Sequence, residues 1–282
     1  MRFLLAVFVG SLSAVYSFGQ GIAPNPSLPT RIRKVEYRTR AHLSLDDERD
    51  TNLDTPHSTK KVPEIDEEYV RMLLQDRGYW RASIKTKLVP LRTHNHARWF
   101  DVVFEIDEGL PYYLSGVTWT GMKQFGEADL NRSMRIRPGE VASRRAITAG
   151  LQEVQKLYAG IGYVNCTLVP HNQLDDAGYT LALGIAVDEG GQFYFGELSL
   201  PGLDDVHREM LLQHWQTIRA MPYSPEKEEA FFRGVLWPAD PKLRSNDYLF
   251  YREFIEAHFD QSERTVNFSI RFTPSPPVGN IH

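Results

Sequence analysis

The sequence predicts an α+β fold made of three tandem units, each with the element order β-α-α-β-β. Two strand-like segments carry the main signal. VVFEIDEG at 102–109 and LGIAVDEG at 183–190 both end in Asp-Glu-Gly. A Gly-Tyr pair at 78–79 recurs at 162–163. Between these markers, alternating and helical apolar periods follow in the same order, which indicates a repeated structural unit.

Further anchor residues keep one constant spacing along the chain. The pairs that share this spacing are Gly109 with Gly190, Tyr113 with Tyr194, and Gly121 with Gly202. The two Gly-Tyr pairs are slightly further apart, so one loop is expected to differ in length between the units. Anchors in one common order favour a duplicated unit over a chance match.

The middle unit, residues 111–191, has the most regular pattern. Tyr113–Thr120 alternates and predicts a first strand, and Glu127–Met134 predicts a short helix. Ser143 is expected to cap a second helix. The predicted apolar face of that helix consists of Ile147, Leu151, Val154 and Tyr158.

The second half of the middle unit is predicted to be a hairpin that follows this helix. Gly162 ends the helix, because glycine tolerates the left-handed conformation of a helix terminus. Strands are predicted at residues 163–169 and 179–187, on either side of a turn at 175–178.

The first unit, residues 31–110, shares this second half but is irregular in its first half. Its opening strand is predicted at 32–39, and the polar stretch 42–61 replaces or loosens the first helix. A helix is predicted at 64–77, with Gly78 as its cap. The predicted apolar face of this helix consists of Ile65, Tyr69, Met72 and Leu73. The predicted hairpin strands are residues 81–91 and 99–106.

The third unit, residues 192–273, is divergent because it lacks both the Gly-Tyr pair and the final Asp-Glu-Gly. Its first helix is predicted at 203–218, and Ser224-Pro225 is a strong start signal for its second helix. The predicted apolar face of the second helix consists of Phe231, Phe232, Val235 and Leu236. The predicted hairpin strands are residues 251–259 and 265–272, and the proline-rich residues 274–282 are expected to form a disordered tail.

Residues 1–19 match a secretory signal peptide. Arg2 precedes an uncharged apolar run, and the small residues Ser17 and Gly19 precede a cleavage point before Gln20. The alternative is an uncleaved membrane anchor, since the uncharged stretch nearly reaches the roughly 20 residues that span a bilayer. Residues 20–30 are predicted to form a linker, and the chain is expected to be exported to the periplasm.

Composition and motifs argue against several classes of function. The formal net charge is −4, so there is no overall basic field to hold nucleic acid. Cys166 is the only cysteine and is interpreted as an apolar filler, and His94 and His96 have no evident third metal ligand. The sequence contains no phosphate-binding, serine-hydrolase or zinc-protease motif. We therefore expect no enzymatic activity, cofactor, metal or small-molecule substrate.

The repeat resembles the polypeptide-transport-associated (POTRA) domain. The resemblance is carried by Gly78-Tyr79, Gly162-Tyr163, and the Asp-Glu-Gly segments at 106–109 and 187–190. POTRA repeats form the periplasmic arm of the outer-membrane barrel-assembly and surface-antigen family. The family's C-terminal barrel is not expected in this sequence, so its membrane-inserting activity is not carried over.

One departure from the family pattern concerns the end of the first strand. The family usually has Gly-Asn there, whereas this sequence has Gly121-Met122 and Gly202-Leu203.

The resemblance implies three-stranded mixed sheets covered on one face by two helices, with the third strand in the middle and the second at an edge. An edge strand presents unpaired N–H and C=O groups, to which an extended polypeptide can add a further strand. The candidate interaction residues on these edges are Ala82, Ile84, Thr86, Leu88, Asn165, Thr167 and Val169. The alternative is that Lys85 and Lys87 oppose strand addition.

The two Asp-Glu-Gly segments are predicted to be joints between units. Their residues are Asp107, Glu108, Gly109, Asp188, Glu189 and Gly190. A catalytic pair of carboxylates is not expected, because adjacent residues at the end of a strand point apart. Joints as short as these predict limited motion between units.

These observations together predict a non-enzymatic periplasmic scaffold that binds polypeptides or partner proteins by edge-strand addition, in outer-membrane protein assembly or secretion. The expected partners are cell-envelope proteins, either an outer-membrane barrel protein or an unfolded client. The alternative is an N-terminally anchored envelope scaffold of the cell-division or cell-wall type.

Overall fold

The structure is a computed structural model that describes residues 30–39, 67–93, 97–236, 248–249 and 255–274. The predicted signal peptide, residues 20–29 of the linker, the polar stretch 42–61, His94 and His96, and residues 275–282 of the tail lie outside the described residues.

Strands and helices alternate in three similar sets along the described part of the chain. The strands are β1 (Thr30–Arg38), β2 (Ser83–Pro90), β3 (Arg98–Asp107), β4 (Tyr113–Thr120), β5 (Thr167–Asp175), β6 (Thr180–Asp188), β7 (Tyr194–Ser199), β8 (Tyr248–Leu249), β9 (Ile255–Asp260), β10 (Thr265–Ile270) and β11 (Thr273–Pro274). The helices are α1 (Glu67–Asp76), α2 (Glu127–Met134), α3 (Arg144–Ala159), α4 (Asp205–Trp215) and α5 (Pro225–Phe231), which continues into a π-helical turn at Phe232–Leu236.

The three main sheets share one strand order, which is β1-β3-β2, β4-β6-β5 and β7-β10-β9. In the second and third sheets the first strand runs parallel to the central strand and the second strand runs antiparallel to it. The predicted α+β class and the predicted arrangement, with the third strand central and the second strand at an edge, are confirmed.

The middle repeat forms a core between its sheet and its two helices. Alternate residues of the central strand point into this core, and they are Leu181, Leu183, Ile185 and Val187. Helix α3 adds Val154 and Tyr158 to the core, and Ser143 caps it by accepting a 3.2 Å hydrogen bond from the Ala146 N–H. The predicted bounds of β4 and α2 and the predicted cap of α3 therefore match the structure.

The predicted start of the second strand in the middle repeat was wrong. Residues 163–166 form a turn, closed by a 3.2 Å hydrogen bond from the Cys166 N–H to the Tyr163 carbonyl, and β5 begins only at Thr167. The strand then runs through Pro170 to Asp175. The prediction ended this strand before Pro170, but an edge strand can hold a proline because one side of its backbone faces solvent.

Helix α1 of the first repeat buries a different face from the one predicted. Its buried residues are Val70, Leu73 and Leu74, whereas Tyr69 and Met72 are half-buried and Ile65 lies outside the described residues. The spacing of the buried residues is i, i+3, i+4, which is one face of a helix. The predicted face was therefore displaced by about one residue around the helix.

The core of the third repeat is aromatic. The ring centroid of Trp215 on α4 lies 4.9 Å from that of Phe231, 5.4 Å from that of Phe268 and 5.6 Å from that of Phe195. Edge-to-face pairs of this kind add to the free energy gained by burial. Helix α4 begins at the N-cap Asp204, whose side chain accepts hydrogen bonds from two main-chain N–H groups of the first turn.

Two compact bodies make up the described part of the chain. One consists of β1 and most of β2 and β3. The other contains α1 and all of the middle and third repeats. Among the helices of the described ranges, none is both long and apolar enough to cross a membrane.

Candidate interaction site

The second strand of each sheet is an edge strand, and in the first repeat this strand is β2. Leu88 is 46% exposed, Lys85 and Lys87 are also exposed, and Ile84 and Thr86 are half-buried. These residues lie on the strand as predicted.

Ala82, which was also predicted on this edge, lies just before the strand. It is 4% exposed, and its carbonyl accepts a hydrogen bond from the Arg71 side chain. Its side chain therefore belongs to the core.

The edge strand of the middle repeat is β5. Thr167 and Val169 are exposed, and Val169 is 49% exposed. Asn165 lies in the preceding turn rather than on the strand, and its side chain donates a 3.1 Å hydrogen bond to Gln261 of the third repeat. Asn165 therefore belongs to a contact between repeats.

The other edge of the middle sheet is partly covered by a loop of its own repeat. Residues 139–142 run antiparallel to the start of β4, with an isolated bridge between Tyr113 and Val141. Leu114 N–H donates to the Glu140 carbonyl at 2.8 Å, and Ala142 N–H donates to the Tyr112 carbonyl at 2.9 Å. The main-chain groups of Tyr112 and Leu114 at the start of β4 are therefore already hydrogen-bonded to this loop.

The third repeat covers the start of β7 in the same way. Tyr223 N–H donates to the Phe193 carbonyl at 2.8 Å, and Tyr194 forms an isolated bridge with Pro222. In both repeats, a loop of the same repeat thus covers the start of the first strand.

The Gly-Tyr pairs form matching caps at the ends of α1 and α3. Gly78 N–H bonds to the Gln75 carbonyl and Tyr79 N–H to the Leu74 carbonyl, both at 3.0 Å. This pattern, with a left-handed glycine at φ +88°, is a Schellman motif. The pair therefore marks a helix end and not the start of a strand.

Gly162 and Tyr163 repeat these contacts on α3. Gly162 N–H bonds to the Ala159 carbonyl at 3.1 Å, and Tyr163 N–H bonds to the Tyr158 carbonyl at 3.0 Å. Gly162 has φ +93°.

Each cap is also hydrogen-bonded to the next repeat. The Gly78 carbonyl accepts from Tyr112 N–H at 2.9 Å, and the Gly162 carbonyl accepts from Phe193 N–H at 2.8 Å. A side chain on Gly162 would come within 2.6 Å of the Phe193 carbonyl oxygen. Glycine is thus required at this joint both by its conformation and by the close approach of the next repeat.

A side chain two positions after each cap glycine packs into the core of the next repeat. Trp80 contacts the core of the middle repeat, and its indole N–H donates to the Ala142 carbonyl at 2.6 Å. Val164 occupies the equivalent position and contacts the core of the third repeat. Sequence reasoning missed these contacts, although the shared distance from the Gly-Tyr pair was a visible signal.

Charged groups strengthen the joint between α1 and the middle repeat. Asp76 lies 3.0 Å from Arg144 and 3.6 Å from Arg145. Asp176 accepts a 2.5 Å hydrogen bond from the Tyr112 hydroxyl and forms a 3.0 Å ion pair with Arg81. These two hydrogen bonds, from Tyr112 first and then Arg81, lower the pKa of Asp176.

The three residues of the second Asp-Glu-Gly segment have separate structural roles. Asp188 is exposed and accepts a 3.1 Å hydrogen bond from the Gly190 N–H, and Gly190 adopts a left-handed φ of +68°. Glu189 is 7% exposed and points into the middle repeat.

The Glu189 carboxylate holds the loop that follows β4. It accepts hydrogen bonds from Lys123 N–H at 2.6 Å, Gln124 N–H at 2.9 Å and the Tyr158 hydroxyl at 3.1 Å. Burial acts to raise the pKa of Glu189, but these hydrogen bonds outweigh burial and lower the pKa. An ionised carboxylate satisfied by main-chain donors stabilises the fold.

The first Asp-Glu-Gly segment shares the buried glutamate and the left-handed glycine. Glu108 is 2% exposed and Gly109 has φ +69°. Neither buried glutamate is open to a substrate.

Cys166 is buried beside Glu189. Burial, with the negative charges of Glu189 and Asp188, raises the pKa of its thiol to about 12. The thiolate form needed for a nucleophile is therefore scarce at neutral pH. Across the described ranges, no group of three or more His, Cys, Asp or Glu side chains is placed to hold a metal ion.

Comparisons with known proteins agree with this geometry. Residues 112–190 match the family model described as "POTRA: Surface antigen variable number repeat". The crystal structure of Haemophilus influenzae BamA POTRA domains 3–5 covers 91% of this chain and 100% of that chain, with a TM-score of 0.56 and 18% identity. The middle repeat thus matches the POTRA domain, and the fold is that of a POTRA array.

Two further comparisons are more distant. A Treponema pallidum (strain Nichols) protein, provisionally described as an outer membrane protein assembly factor, is 23% identical over 225 residues. This match covers 77% of the present chain, which spans about a quarter (27%) of that relative. Haemophilus ducreyi BamA lacking POTRA domains 1–3 is 19% identical with a TM-score of 0.42, covering 57% of this chain and 30% of that one.

Proposed function

We propose that this protein is a non-enzymatic periplasmic scaffold that binds polypeptides by edge-strand addition during the assembly or secretion of outer-membrane proteins. The POTRA-type fold supports the scaffold role, and the description of the Treponema relative supports the link to outer-membrane assembly. The expected partners are an outer-membrane barrel protein or an unfolded client in the cell envelope.

The position of the second strand at an edge of each sheet is the observation that carries this proposal. Strand β2 runs for eight residues at the edge of its sheet, and its residues Leu88 and Val89 are both more than 40% exposed. An added strand would gain main-chain hydrogen bonds whatever its sequence, which suits a protein that handles varied clients.

The experiment introduces proline at two neighbouring positions of β2, Lys85→Pro and Thr86→Pro. Successive residues of a strand direct their N–H groups to opposite sides, so one substitution breaks the pairing with β3 and the other removes an outward donor. Circular dichroism and the urea unfolding midpoint identify the variant that keeps the fold.

Binding is measured by fluorescence anisotropy with a labelled outer-membrane barrel protein diluted from urea as the probe. We expect the folded variant to bind about tenfold more weakly, the effect of one unsatisfied polar group. Asp205→Pro is the matched control, because it places proline at the first residue of α4, where the N–H is not needed. Wild-type affinity in both β2 variants would exclude β2 as the edge that binds the barrel protein.

A further inference from the structure

The edge strand β5 of the middle repeat contains a proline at its centre. Pro170 lies opposite Ile185, inside a ladder that pairs every residue from Thr167 to Asp175 with β6 without a register shift. The backbone keeps its strand geometry on both sides of the proline. Pro170 is therefore a regular member of the edge and does not end the strand.

The chemistry of proline fixes which main-chain groups point outward. An antiparallel strand alternates residues that face the partner strand with residues that face away from it. Proline has no N–H, so it is tolerated in a sheet where its nitrogen faces away from the ladder. The residues whose main-chain groups face outward are therefore Leu168, Pro170, Asn172 and Leu174.

The outward row of donors is consequently interrupted at its centre. The N–H groups of Leu168 and Asn172 are separated by about 14 Å along a strand. An added strand requires a donor at every second position, about 7 Å apart. Its carbonyl opposite Pro170 would meet the pyrrolidine ring instead of a hydrogen, and would remain unsatisfied.

The edges of the other two repeats differ in this respect. In β2 (Ser83–Pro90) the only proline is the last residue, and β9 (Ile255–Asp260) has none. Neither strand therefore lacks a main-chain N–H at its centre.

We propose that Pro170 closes the middle edge to strand addition, so that polypeptides are accepted by β2 and β9 and not by β5. The assignment of clients to these two edges rests on the proposed function, whereas the closing of β5 does not. Pro170 therefore determines which repeats accept a polypeptide by strand addition.

The test is Pro170→Thr, which restores an outward N–H and places a good strand former at the position. Because this donor faces away from β6, the ladder with β6 is unchanged. The matched control is Pro138→Thr, the same chemical change at an exposed turn before α3. Two readouts are used, one of which needs no client.

The first readout is self-association of the purified chain by analytical ultracentrifugation. We expect Pro170→Thr to form dimers at protein concentrations at which wild type and Pro138→Thr stay monomeric. The association constant of Pro170→Thr should be at least about tenfold higher than that of wild type. Amide hydrogen exchange should then show protection of Leu168, Asn172 and Leu174 in the dimer. A Pro170→Thr protein as monomeric as wild type would overturn the proposal.

The second readout is amide exchange in the presence of the labelled, urea-diluted barrel protein. In wild type, we expect no added protection of Asn172 and Leu174, and in Pro170→Thr both amides should become protected. Protection of these amides in wild type would overturn the proposal. If Pro170→Thr dimerises but neither protein binds the probe, the proposed function fails and the role of Pro170 stands.

Discussion

Single buried polar residues hold loops to the core of a repeat, and Glu189 is the clearest case. Its carboxylate accepts three hydrogen bonds at the end of β6. Glu189→Gln keeps the shape but places an uncharged amide among these donors. We expect the free energy of unfolding of the middle repeat to fall by about 1.5–3 kcal/mol, measured by amide exchange of β6. Asp188→Asn is the control, since its exposed side chain still accepts the Gly190 N–H bond.

The pH dependence of the Glu189 contribution follows from the lowered pKa of its carboxyl group. A group with a depressed folded-state pKa stabilises the fold above its ordinary value of 4.5, and this stabilisation is lost as the pH falls through the folded-state pKa. The stability difference between wild type and Glu189→Gln should therefore be full at pH 7 and shrink below about pH 4.5. Urea unfolding at a series of pH values measures it, and a difference that grows in acid would contradict this account.

Gly162 offers a second prediction at the scale of one residue. Gly162→Ala forces an alanine to φ +93° and brings its Cβ within 2.6 Å of the Phe193 carbonyl oxygen. Gly139→Ala is the matched control, because φ there is +89° but no atom lies within 4 Å of the added Cβ. Backbone strain of about 1 kcal/mol should appear in both variants. Only Gly162→Ala should also speed the hydrogen exchange of the Phe193 amide. If the two variants changed this exchange equally, the contact between the new Cβ and the Phe193 carbonyl would not disturb the joint.

At the scale of secondary-structure elements, an ion pair joins α1 and α3, although each of its two charges interacts unfavourably with the dipole of its own helix. Asp76 is the last residue of α1 and Arg144 is the first residue of α3. Each charge has the unfavourable sign for the dipole of its own helix. Their placement is explained by the ion pair they form with each other, so this pair serves the joint rather than either helix.

Removing the acidic partner should loosen this joint measurably. We expect Asp76→Asn to lower the free energy of unfolding by about 1 kcal/mol, a modest value because Arg144 is partly exposed. The matched control is Asp129→Asn, which removes an exposed i,i+3 pair with Arg132 and should cost no more than about 0.5 kcal/mol. Urea unfolding compares the two variants, and an equal loss would mean that the Asp76 pair behaves as an ordinary surface pair.

The elements were predictable where the sequence carried local signals. The bounds of β4 and α2 and the cap at Ser143 followed from alternation and capping residues. The start of β5 did not, because Tyr163 was assigned to the strand, whereas its N–H group closes the helix together with that of Gly162. The same error placed Ala82 and Asn165 on edges, although both lie in the segment between the cap and the strand.

At the scale of the whole molecule, the repeat was predictable and the contacts between repeats were not. The regular spacing of the Asp-Glu-Gly segments and their neighbouring glycines indicated the array. The bonds from Tyr112 to Gly78 and from Phe193 to Gly162 join main-chain atoms, whose partners no residue type reveals. The burial of Glu189 was missed for the same reason, since two of its donors are backbone N–H groups in a loop that is distant along the chain.

The main-chain hydrogen bond at each joint affects how the number of repeats can change in evolution. Because the carbonyls of Gly78 and Gly162 accept hydrogen bonds from Tyr112 and Phe193 in the same way, the middle repeat begins and ends with matching main-chain contacts. An in-frame duplication or loss of one whole period would therefore bring together compatible main-chain groups at the new joint. We therefore expect a chain with one repeat more or fewer to keep the main-chain hydrogen bond at every joint.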